Sequence, residues 1–183
     1  MRILNEDEKA LYEILDTRIK DVEFKYSKGK SEASFYLEPD TEVNPNDVGI
    51  TYTVNFTKAM PRAVETSVGP GMKANISTLT FQNSLTGMNT LKSADYEDVN
   101  QNLVFSTIAK IVIRFFENKK DVQGITFSAA HPGLHKAYKI LSLVAENKGP
   151  LKWANQTPSP SLYFIVRKEI WNNYISILQT QGD

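Results

Sequence analysis

The sequence predicts a single α/β (α+β) domain spanning residues 1–183, with a mixed, largely antiparallel sheet and helices on both faces. Three observations predict it. Several segments between Val22 and Phe81 alternate apolar and polar residues and are joined by connections too short for crossover helices. A long stretch from Asp95 to Asn118 carries a broad apolar stripe at helical spacing. A short apolar run, a second helical pattern and a last apolar run then follow between Gly124 and Val166.

The elements follow in order. Asn5 with Glu8 reads as a capping box, and Leu11, Ile14, Leu15 and Ile19 fall at helical spacing, predicting a helix from about Glu6 to about Arg18. Val22, Phe24 and Tyr26 alternate with polar neighbours, as do Ala33, Phe35 and Leu37. Between them Ser27-Lys28-Gly29-Lys30 reads as a hairpin turn with Gly29 available for a positive φ. Pro39 to Asp47 is polar and carries two prolines, which marks a loop.

Ile50, Tyr52, Val54 and Phe56 give the cleanest alternation, with Thr51, Thr53, Asn55 and Thr57 suited to a solvated face. Pro61 to Lys73 contains Gly69-Pro70-Gly71 and reads as a connection or a binding loop. Ile76 to Phe81 reads as a further strand, and Thr86-Gly87 as a turn.

In the long helix Val99, Leu103, Ile108, Ile111, Val112, Phe115 and Phe116 form the stripe, widened by Val104, Phe105 and Ile113. A helix apolar over so much of its circumference is expected to lie centrally across a sheet. Asn118-Lys119-Lys120 would end it with charge that suits the helix dipole. Gly124 to Ala130 reads as a strand. Pro132 then suits the first position of a helix carrying Leu134, Ala137, Tyr138, Leu141 and Val144, stopped by Gly149-Pro150. Gln156 to Ser161 reads as a loop, Leu162 to Val166 as a strand, and Trp171 to Leu178 as a final helix.

Composition bounds the function. Lys plus Arg and Asp plus Glu each number 21, so the net charge is zero, which argues against bulk electrostatic binding to nucleic acid or to an anionic membrane. With no cysteine, disulfides, thiolate nucleophiles and cysteine zinc sites are excluded. The first residues lack the apolar core of a signal peptide, and no run is long enough to span a membrane. The expected locale is therefore intracellular.

Four residues stand out as site candidates. His131 and His135 are four apart and could converge on a ligand, but Pro132 and Gly133 intervene and place His131 at the helix cap, so no metal site is expected. Lys73 closes the Gly69–Lys73 stretch, whose amides could cradle a phosphate or form a plain turn. Tyr138 could donate a proton as a general acid or pack its ring under the sheet. Trp153, Tyr163, Trp171 and Tyr174 could anchor a protein partner or fill core and rim.

The order of helix, antiparallel strands, long central helix, strand, helix and strand resembles the GNAT (N-acetyltransferase) fold. The segment from Val104 to Leu141, VFSTIAKIVIRFFENKKDVQGITFSAAHPGLHKAYKIL, is similar to one in small tailed-bacteriophage proteins of GNAT-like fold. In GNAT enzymes a Q/R-x-x-G-x-G/A loop before the central helix holds the pyrophosphate of acetyl-CoA. A tyrosine in the helix after the next strand protonates the leaving thiolate, and Tyr138 matches that position.

The approach TGMNTLKSADYEDVNQN has no such loop, and Asp95, Glu97 and Asp98 would put negative charge where the phosphates sit. The resemblance then implies a phage-type protein acting by binding, without acetyltransferase activity or cofactor. Its partner would be a virion or host protein, and its place the host-cell cytoplasm or the virion. The alternatives are an acyl-CoA-dependent N-acyltransferase with Tyr138 as acid, and a small-ligand or nucleotide sponge.

Overall fold

The structure, a computed structural model, describes residues 22–39, 49–59, 75–84, 87–88, 98–128, 141, 151–155 and 162–170. These form a mixed α+β arrangement. Strands β1 (Phe24–Tyr26), β2 (Glu32–Leu37), β3 (Ile50–Lys58), β4 (Ile76–Asn83) and β5 (Gly87–Met88) precede helix α1 (Asp98–Asn118). Strands β6 (Gly124–Ser128), β7 (Leu151–Asn155) and β8 (Leu162–Arg167) follow it. One sheet holds them all, in the order β1-β2-β3-β4-β6-β8-β7, with β5 paired to β4.

The meander β1–β4 is antiparallel throughout, as its short connections require. The hairpin turn is closed by Lys30 N–H donating to Ser27 O at 2.9 Å. Its left-handed residue is Lys30, with φ 55°, rather than Gly29. One face of the meander carries Ala33, Phe35, Tyr52, Val54, Phe56, Leu79 and Phe81, all buried. On the other face of β3, Thr51 and Thr57 are exposed while Thr53 and Asn55 are half-buried. This is the alternation that a half-solvated antiparallel sheet imposes.

Helix α1 lies on the apolar face. Phe105 meets Phe81 edge to face at 6.1 Å, and Phe115 stacks on Phe56 at 3.9 Å. The helix therefore runs from the carboxyl end of β4 back to its amino end. The Tyr26 hydroxyl reaches over from β1 and donates to the Ile111 carbonyl in mid-helix. Ser106 and Thr107 are buried without cost to the core, because both hydroxyls donate to the Leu103 carbonyl, at 3.0 and 2.7 Å.

Helix α1 ends at Asn118 with Lys119 and Lys120 directly after it, as expected. Its last turn holds no basic residue. Arg167 at the end of β8 adds further positive charge there, and its guanidinium donates to Phe116 O at 2.7 Å, Lys119 O at 3.1 Å and Val122 O at 2.8 Å. The same group sits 5.0 Å from the Phe116 ring centre. One side chain thus supplies the cation and the donors that a helix C-terminus lacks.

Beyond α1, β6 joins β4 in parallel and β8 joins β6 antiparallel. Here burial no longer alternates: Gly124, Ile125, Thr126 and Phe127 are all buried. Ile76 and Val166, level with Gly124 in register, are each 1% exposed on the face away from α1. The strand β7, paired with β8, was not expected from the sequence. No described helix is long and apolar enough to cross a membrane, which says nothing about strands. The expected helices near residues 6–18 and 171–178 lie outside the described residues.

Candidate functional site

The only parallel pair among the described strands is β4 with β6, and its two ends differ. Its ladder covers Ile76↔Gly124, Ser77↔Ile125 and Thr78↔Thr126. It stops there, although β4 continues to Asn83 and β6 to Ser128. The far end of β4 pairs with β5 instead, through Gln82↔Met88 and Asn83↔Gly87. A fork therefore lies at the carboxyl ends of two parallel strands, the place where open sheets with parallel strands bind ligands. The amino-terminal half of α1 lies toward the same end, since Phe105 covers Phe81.

The fork is polar and carries no described charge on its floor. Thr126 is buried, Thr78 and Thr80 are half-buried, and Gln82 is exposed. On the face away from α1, burial falls along β4 from Ile76 at 1% to Gln82, so the strand is covered at its amino end and open toward the fork. Thr78, Thr80 and Gln82 offer hydroxyl and amide groups to a ligand or to a partner's backbone, whereas Thr126 is closed off at 2% exposure. Among the described residues no group of three His, Cys, Asp or Glu could hold a metal ion.

The opposite end of the pair is clamped. Asn75 N–H donates to Gln123 Oε1 at 2.9 Å, and Gln123 N–H returns a bond to Asn75 O at 2.8 Å. The Asn75 side-chain amide donates to the Asp121 carbonyl and to its carboxylate, both at 3.1 Å. Ala59 N–H donates to Ile76 O at 2.9 Å, which joins the end of β3 to the start of β4.

The four candidates from the sequence, Lys73, His131, His135 and Tyr138, all lie outside the described residues. Their nearest described neighbours in the sequence lie at different ends of the β4–β6 pair. Asn75, two residues after Lys73, belongs to the clamped end. Ser128, three residues before His131, ends β6 at the fork. Downstream of the histidines, Leu141 is helical and fully buried in the main core, where the apolar stripe of that segment placed it.

Reading the sequence alone missed two features. Thr78 and Thr126 become neighbours only through the β4–β6 register, which no local pattern encodes. Arg167 showed no signal because its acceptors lie 45 to 51 residues earlier in the chain. Compared with protein-family models, curated proteins and solved structures, the chain finds no significant match among any of them.

Proposed function

We propose that this is a GNAT-like, phage-type protein that works by binding a protein partner, a virion component or host factor, at the fork between β4 and β6. The observation that carries the reading is that fork, where the β4–β6 ladder stops short of the ends of both strands and leaves Thr78, Thr80 and Gln82 on the face away from α1. Asp95 and Glu97 precede the start of α1 at Asp98 in the sequence. Acidic residues so near a helix start in the sequence disfavour a pyrophosphate or another anion there, because carboxylates compete for the positive end of the dipole. The polar, uncharged floor of Thr78, Thr80 and Gln82 suits contacts to peptide groups better than to phosphates.

The order of antiparallel meander, central helix, parallel strand and antiparallel return strand supports the GNAT-like part of the reading. Its phage-type part rests on the resemblance of the Val104–Leu141 segment.

Mass spectrometry of the freshly purified full chain, native and then denatured, tests the proposal. The expected result is polypeptide alone or with a stoichiometric protein partner. A co-purified coenzyme A or acyl-CoA would overturn it in favour of an acyltransferase with Tyr138 as acid, and a co-purified nucleotide would overturn it in favour of a ligand-binding sponge.

A further inference from the structure

We draw no further inference here: the strongest candidate, the hydroxyl- and amide-rich open face of β2 and β3 carrying Ser34, Thr51, Thr53, Asn55 and Thr57, has nothing in the structure to show what covers it.

Discussion

In β3 every second residue is buried from Ile50 to Phe56, and those between are exposed or half-buried. In β6 four consecutive residues, Gly124 to Phe127, are buried. The two strands belong to one sheet and both carry threonine between apolar residues. The difference is cover. The meander has α1 on one face and solvent over most of the other, while the sheet around β6 is enclosed on both. A threonine in β3 therefore meets water, whereas Thr126 at 2% exposure must find its hydrogen bonds inside the protein.

Placing the same charge in both strands breaks this comparison most sharply. Thr126→Asp should cost about 3–5 kcal/mol or prevent folding, because it buries an unpaired carboxylate. Thr51→Asp should change stability by no more than about 0.5 kcal/mol. Urea unfolding of both variants measures it, and equal losses would contradict the two-sided burial of β6.

Next in size is the seam between α1 and the meander. Phe115→Ala and Phe56→Ala should each cost about 3–5 kcal/mol. A double-mutant cycle should return a coupling of about 0.5–1.5 kcal/mol for the stacked pair. Additive losses would show that the rings do not share one contact.

Arg167→Ala should cost about 2–4 kcal/mol, from charge-assisted bonds to three carbonyls and the contact with Phe116. Arg167→Lys should recover only part of that, since an ammonium cannot reproduce the planar fork. Full rescue by lysine in thermal unfolding would reduce the role to simple charge.

Tyr26→Phe is the smallest, about 1 kcal/mol near neutral pH for one lost hydrogen bond. It should also alter behaviour in alkali. Burial raises the Tyr26 phenol above its ordinary value, opposed in part by Arg114. Above pH ~10 the unfolded chain then sheds that proton before the folded chain does, so stability falls as pH rises. The variant should show a shallower alkaline fall, and an unchanged slope would show that this phenol does not contribute.

The same comparison explains what could be read beforehand. The strands of the meander were legible because a solvated face writes a polar residue at every second position, most plainly at Thr51, Thr53, Asn55 and Thr57. α1 was legible because its stripe repeats over many turns. β7 was not: Leu151–Asn155 is five residues long and has no clean alternation. It is a strand because β8 pairs with it.

The turn misled by one residue, because Gly29 is freer than Lys30 but the hairpin register puts the left-handed position at Lys30. The fork was invisible for a related reason. It depends on where a ladder between residues 76–78 and 124–126 ends, which pairing across the chain decides. The individual candidates were legible only as residue types, and the clamp at Asn75 and Gln123 shows why position matters more.

On the proposed reading the fork is not an acyl-CoA site, since Asp95, Glu97 and Asp98 put acidic residues at the sequence position where GNAT enzymes carry the pyrophosphate loop. The direct measurement is calorimetry with acetyl-CoA on the full chain and on its D95N/E97Q/D98N variant, at low salt. The account predicts no saturable heat for the natural chain at millimolar ligand and weak, salt-sensitive binding for the variant. Saturable binding by the natural chain, undiminished when salt is added, would contradict it.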